Sequence, residues 1–355
     1  MARMVFKCRP VAAETIVAFR SCSLFTISFK SSMAYHLCEL FTNSVLTRLY
    51  YFVYSGNRHN DKHPMRRNRM NYLEKVQKAI PQAPVITIVG FPGVGKSTLA
   101  ALFPSPIFIQ AENASTVFET WPEKDQPAFF PEVQPANAKR KVKPSEIILD
   151  QLRELVTSEH PFKTVVIDTT TAMNTLFETE VVEFDDKGAT NIGDAAGGFH
   201  KGFLVSAGMH AKIRQACEHL RRKGITVIFL AHTGIVKMKN RPESGEYTAY
   251  SIDMPEKARQ IYVGSSDAVF YLKAREFVMG HEENKKGQTT KYGRVTNTGE
   301  RVLITSSDGT IGYIDAKNRY SLPEEIDVEK GENPLLALIP FYNGGKAAPE
   351  TNEEV

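Results

Sequence analysis

The sequence predicts an α/β fold: a mostly parallel sheet flanked by helices, with an antiparallel hairpin toward the C-terminus. Three observations predict it. Short apolar runs rich in Val and Ile recur without polar alternation: VITIVG (85–90), PIFIQA (106–111), TVVID (164–168), ITVIFLA (225–231) and DAVFYL (267–272). Such runs fit strands buried on both faces. Helical patterns lie between them, which implies right-handed crossovers. After Lys273 the texture changes, and KYGRVTNTGERVLITSSDGTIGYIDAKNRY (291–320) alternates and turns. That segment reads as a hairpin or small meander.

The elements follow in order. Residues 1–69 form a separate N-terminal extension, with 11 Lys/Arg against 3 Asp/Glu, a net of +8. The remainder carries 33 against 37, a net of −4, so the basic balance of the whole chain is no argument for nucleic-acid binding by the folded part. The extension has the composition of an organellar transit peptide. The plainer reading, adopted here, is an upstream extension with initiation at Met65 or Met70. No apolar run reaches the ~20 residues of a membrane span, so no membrane partner is expected. Cys8, Cys22, Cys38 and Cys217 have neither metal-ligand spacing nor the density of a disulfide scaffold. They fit a reducing compartment, the cytoplasm, which would be that of a bacterial host were the chain phage-encoded.

Residues 70–326 are expected to form one domain. Within it SEIILDQLRELVTSEH (145–160) places Ile147, Ile148, Leu152 and Leu155 on one helical face, with Ser145 as N-cap. FHKGFLVSAGMHAKIRQACEHLRRKG (199–224) does likewise with Ile213, Cys217 and Leu220, and Gly224 ends it. Residues 113–143, with KRKVK at 139–143, read as a polar surface excursion, and 183–200 as a Gly-rich loop. Residues 327–355 read as a C-terminal tail, its last 12 residues disordered by composition.

The chemistry starts at GFPGVGKS (90–97), which satisfies G-x-x-x-x-G-K-[ST] between a buried strand and a helix. Glycines let successive N–H groups curl toward phosphates, with the following helix adding its dipole. Gly90, Pro92, Gly93, Val94, Gly95, Lys96, Ser97 and Thr98 are the candidate nucleotide-binding residues. Lys96 would reach the β- and γ-phosphates and Ser97 would ligate Mg²⁺. A second acidic ligand belongs at the end of a neighbouring strand, and Asp168 in TVVIDTTT supplies it. An Asp capping the next helix is the alternative, but the phosphate loop requires a partner and Asp168 is the best placed. Glu112, after PIFIQA, is the candidate to orient or deprotonate the attacking water; a solvated loop carboxylate is its alternative. His232, after VIFLA, is the candidate to sense the γ-phosphate, or else a structural strand-end residue.

The order of phosphate loop, FIQAEN, VVIDTTT and FLAHT resembles the RecA-like ATPases, implying a RecA-like P-loop NTPase core with ATP and Mg²⁺ as cofactors. The resemblance makes Glu112 the catalytic glutamate, Asp168 the magnesium ligand and His232 the sensor. AKNRYSLP (316–323) is similar to the K-x-R element of DnaB-type helicases, which makes Lys317 and Arg319 candidates to reach a neighbouring subunit's ATP. A solvated basic strand end is the other reading. Over about residues 80–326 the chain is similar to phage-type RecA-like ATP-binding proteins of single-strand annealing and recombination. One departure stands out: this chain has AENAST where that family often follows the Glu with two glycines.

The resemblance implies single-stranded DNA as partner, a homo-oligomeric ring or filament, and a single-strand-binding or replication protein as a further contact. The stretch after FLAHT, residues 234–262, is expected to be a loop and interleaves Lys237, Lys239 and Arg241 with Tyr247 and Tyr250. Basic side chains can track phosphates and tyrosines can stack on bases. The same segment carries Glu243, Glu246, Asp253 and Glu256, so a solvated lid over the nucleotide remains open. Three function classes follow: a DNA-dependent recombination ATPase, a helicase-type or remodelling motor, and a nucleotide-switched binding protein with little hydrolysis. The first is the reading adopted. The chain lacks both an Arg-rich kinase lid and the Asn-Lys-x-Asp motif of guanine readers.

Overall fold

A computed structural model describes residue 76 and residues 81–241, 245–279, 282–283, 289–291, 294–306 and 314–344. The chain divides into two units, Met1–Gln77 and Lys78–Val355. The fold below belongs to the second. The 1–69 extension and the final eleven residues of the expected tail lie outside the described residues.

Among the described residues ten strands join in one mixed sheet: eight lie on the path β12-β10-β7-β1-β5-β4-β2-β3, while β6 (Gly245–Ile252) pairs β5 and β11 (Lys317–Asn318) pairs β7 off it. At its centre β1 (Val85–Gly90) runs parallel to both β5 (Thr226–Arg241) and β7 (Ala268–Met279). Then β4 (Thr164–Asp168), β2 (Pro106–Gln110) and β3 (Ala128–Phe129) follow in parallel on one side. On the other, β10 (Arg294–Ile304) and β12 (Glu325–Val328) are antiparallel. The fold is the mixed α/β architecture of a P-loop NTPase core. The hairpin character expected beyond Lys273 is present, with β10 pairing back on β7.

Every residue of β1 is buried, as its unbroken apolar run requires. Its side chains divide by the period of two: Val85 and Val89 enter one core, Ile86 and Ile88 the other. The one polar residue on the strand, Thr87, shares a hydrogen bond with the Ser266 hydroxyl at 2.8 Å. The first core lies under helices α2 (Pro144–Thr157), α3 (Thr170–Glu183), α4 (Lys201–Arg222) and α5 (Glu256–Ser265). Ile148, Leu152 and Leu155 of α2 and Ile213, Cys217 and Leu220 of α4 are buried in it. Gly224, at φ +81°, follows the end of α4 as expected. The second core gathers Leu99, Phe103, Phe108, Phe118 and Phe270 on the other face.

Four expectations need correction. Helix α2 starts at Pro144 with Lys143 as N-cap; Ser145 instead donates its N–H (2.8 Å) and hydroxyl (2.6 Å) to the buried carboxylate of Glu180 on α3. The 113–143 excursion is anchored rather than purely superficial, because Phe118 and Val133 are buried and β3 extends the sheet. The segment after His232 is not a loop: β5 continues to Arg241 and pairs antiparallel with β6 (Gly245–Ile252), leading into α5. Its Val, Tyr, Thr and Ile residues favour extended backbone despite the intervening charges. Finally, the fold does not end at Ile326. Val328, Leu335 and Ile339 enter the second core through β12 and the short helix α6 (Leu335–Leu338).

Between α3, α4 and α5 sits one buried polar chain. Asn174 donates its amide to Glu178 (2.8 Å), which leaves Asn174 Oδ1 to accept from His210 Nε2 (3.2 Å). His210 Nδ1 then accepts from the Tyr262 hydroxyl (2.8 Å). The neutral imidazole is fully satisfied, and burial pushes its pKa down to about 3.

The C-terminal correction carries a mutational expectation. Ile339→Ala should lower unfolding free energy by about 2–5 kcal/mol, measured by urea denaturation; an unchanged midpoint would return residues 327–344 to the status of a tail. The buried histidine carries a pH expectation. Its folded pKa lies below the ordinary 6.5, so the unfolded chain binds the proton first as pH falls. Stability is fully present above about pH 6.5 and declines toward pH 3, by up to about 1.4 kcal/mol per pH unit. His210→Gln should lose that part of the slope in thermal melts at stepped pH.

Candidate functional site

Four strands deliver the site to one edge of the sheet. The register sets Gly90 of β1 beside His232 of β5, and Gln110 of β2 beside Asp168 of β4. The pairing runs on past β2, because the N–H groups of Ala111 (2.9 Å) and Glu112 (3.2 Å) both donate to the Asp168 carbonyl. Glu112 is thereby tied by its backbone to the strand that carries the acidic residue. Beyond it, Asn113 Oδ1 accepts from the Ser115 N–H (3.2 Å) and hydroxyl (2.8 Å). This side-chain turn shapes the AENAST segment, where the resemblance leads one to expect a pair of glycines.

The phosphate loop curls from Gly90 into α1 (Lys96–Ala101), a helix of only six residues. Val94 packs toward the second core, whereas Pro92 and Gly93 are exposed. Lys96 is buried and uses all three ammonium protons: on the carbonyls of Gly90 and Phe91, each at 3.0 Å, and on His232 Nδ1 at 3.3 Å. Because Lys96 only donates, His232 Nδ1 accepts, and His232 Nε2 is left to donate to Glu112 Oε1 at 3.2 Å. A continuous path Glu112–His232–Lys96 thus crosses from β2 through β5 to the phosphate loop.

Charge follows the same geometry. Burial lowers the Lys96 pKa to about 8, against the opposing pull of Asp168 and Glu112. Glu112 is held below its ordinary value chiefly by the His232 hydrogen bond, against partial desolvation. Asp168 is raised to about 6 by burial, although the Ser97 hydrogen bond pulls the other way.

The Ser97 hydroxyl donates to Asp168 Oδ2 at 2.6 Å. One hydroxyl and one carboxylate side by side match the donor set of Mg²⁺, which takes one or two protein oxygens and completes its shell with phosphates and water. No cluster of three or more His, Cys, Asp or Glu suited to a metal is found among the described residues.

Two hydroxyls that the sequence reading did not single out complete the frame. The His232 N–H donates to Thr171 Oγ1 (3.0 Å), and Thr169 caps α3 through the Ala172 N–H (3.1 Å). The Thr run directly after Asp168 was their signal.

The remaining candidates are not gathered here. Lys317 donates to the carbonyls of Gly264 (2.6 Å) and Val263 (3.4 Å), and Arg319 pairs with Asp267 (3.3 Å). Asp267 accepts from the Val85 N–H at the start of β1, roughly 17 Å from the phosphate loop at strand rise. Neither cation can serve the loop of its own chain. Lys237 is exposed on β5. The ring of Tyr250, 37% exposed, stacks on Tyr271 (5.9 Å) and meets Phe91 of the phosphate loop edge-on (5.9 Å). The side chains of Lys239, Arg241 and Tyr247 lie outside the described residues.

A family model described as AAA domain matches residues 82–320, more than half of the chain. The chain belongs to the AAA domain family. Membership assigns it nucleotide binding of the P-loop ATPase kind, in agreement with the loop, the serine and the aspartate. No curated protein matches the sequence. No helix among the described residues of this AAA domain protein is long and apolar enough to cross a membrane.

The loop glycines separate by cause. A Cβ on Gly90 would lie 2.5 Å from the Leu272 carbonyl oxygen, a backbone atom that cannot step aside. Gly93, at φ +77°, has open space around it, so a side chain there meets only backbone strain. Gly90→Ala is expected to cost about 1–3 kcal/mol and Gly93→Ala about 1 kcal/mol, measured by chemical denaturation. Equal costs would contradict the packing at Gly90.

Proposed function

We propose that the protein is a Mg-ATP-dependent ATPase acting on single-stranded DNA in annealing or recombination. The path Glu112–His232–Lys96 carries the reading, because it links a carboxylate, a strand and the phosphate loop in one hydrogen-bonded line. The loop N–H groups would cradle the α- and β-phosphates, and Lys96 would reach the β- and γ-phosphates. Ser97 and Asp168 would hold Mg²⁺, which when bound neutralises charge on the phosphate oxygens. Glu112, ionised and half-exposed, would orient the attacking water, its lowered pKa favouring alignment over strong proton abstraction.

His232 supports a coupling role. It shares an unbroken strand with Lys237, so a shift at its ring passes directly into the β5–β6 ribbon. Lys237 on that ribbon offers charge for a phosphate backbone. On this reading Lys317 and Arg319, at the far edge of the sheet, would leave their contacts with Gly264 and Asp267 to complete the site of a neighbouring copy in a ring or filament. A second reading, nucleotide-switched binding to a protein, draws on Ile235, 72% exposed on the same ribbon.

Steady-state ATP hydrolysis by the full chain, with and without single-stranded DNA, tests the proposal beside Lys96→Ala and Glu112→Gln. DNA should stimulate turnover. Lys96→Ala should abolish it, and Glu112→Gln should lower it by about 10²-fold or more while sparing ATP binding. Turnover indifferent to DNA would favour the protein-binding reading, and a fully active Glu112→Gln would remove Glu112 from the mechanism.

A further inference from the structure

One cation beside the phosphate loop went unnoticed in the sequence. Arg301 sits on β10, in register with Ala274 of β7 and Val328 of β12. Its guanidinium leans on the last glycine of the loop: a Cβ built on Gly95 would lie 2.4 Å from Arg301 Nη1. Gly95 has φ +99°, so the loop both turns there and leaves the room that the guanidinium fills.

The Arg301 side chain makes no hydrogen bond or ion pair among the described residues, although carboxylates lie near it. Three of them are engaged by another arginine, and Glu329 also lines the cleft beside Arg301. Arg275 pairs with Asp327 (2.5 Å), Glu325 (3.6 Å) and Glu300 (3.7 Å). A half-buried guanidinium with five donors and no acceptor stands out, since such groups are normally paired. Arg301 also lines an open cleft of about 870 Å³, with Thr298, Glu300 and Asp327 on its wall. The side chain therefore has space to leave Gly95 without displacing packed groups.

We propose that Arg301 is a nucleotide-contacting residue whose guanidinium binds the α- and β-phosphates from the Gly95 side of the loop. The inference rests on the nucleotide reading of that loop and deepens it. The assignment to α and β follows from position. Arg301 touches the loop backbone, whose N–H groups cradle those phosphates, whereas the Lys96 tip serves β and γ. A planar fork suits two phosphate oxygens at once, which an ammonium cannot match.

Calorimetric titration of the full chain with ATP and with ADP tests it, using wild type, Lys96→Ala, Arg301→Met, Arg301→Gln and Arg301→Lys. Methionine keeps the packing stem and removes the charge; glutamine is a second neutral variant should methionine impair folding. Both are expected to weaken ATP and ADP by the same factor, about tenfold or more, with Arg301→Lys intermediate. Wild-type affinity in the neutral variants, with Lys96→Ala still defective, would overturn the role of Arg301 and leave the loop reading intact. Weakening of ATP alone would overturn the α/β assignment. Failure of the wild type to bind either nucleotide would remove both readings.

Discussion

The site depends on the register of β1 against β5, which sets Gly90 opposite His232. Side chains alternate faces along a strand, so a slip of one residue would turn His232 to the other face of the sheet. Lys96 would then lose its third acceptor and Glu112 its donor. Burial on both faces guards against that slip. Val85 and Val89 are committed to one core and Ile86 and Ile88 to the other, so a one-residue slip would exchange the two sets and mismatch their packing. The packing of an apolar strand thus fixes the polar contacts at its end.

Much of this was legible because it is local or periodic. Unbroken apolar runs gave β1, β2, β4, β5 and β7, and the spacing of Ile213, Cys217 and Leu220 gave the buried face of α4. The phosphate loop announces itself, and Asp168 could be found by asking which strand end must complement Ser97. Other features are pairwise and distant. Arg301 reaches Gly95 across more than two hundred residues, through a β7–β10 pairing that no local pattern encodes. Ser145 looked like a helix cap because nothing nearby reveals Glu180 as its buried acceptor. The β5–β6 ribbon was read as a loop since its charges and Gly234 masked an alternation that only pairing with β6 makes clear.

The two ends of β1 divide the chemistry between them. At the start of the strand, Asp267 gathers the Val85 N–H, Arg221 (3.1 Å) and Arg319 (3.3 Å), a charge cluster that ties α4 and the 317–319 segment to the sheet, with Arg221 Nε left buried and unpaired. At the other end the groups are less fully settled: a lysine of lowered pKa, a carboxylate of raised pKa and an arginine with no partner among the described residues. Burial without complete pairing is costly. Buried charges of shifted pKa at this edge mark where the fold gives up stability for chemistry, while the opposite edge holds the strand in place.

The continuity of β5 has a metric consequence. Because the strand pairs with β6 from Thr233 to Met238, and again at Arg241 beyond an irregularity in register, it behaves as a ruler rather than a tether. At strand rise those nine residues span roughly 25 Å. A flexible loop of equal length would sample many separations. A paired ribbon offers one spacing, so whatever meets its outer end is held at a distance from the phosphates that is written in the backbone itself.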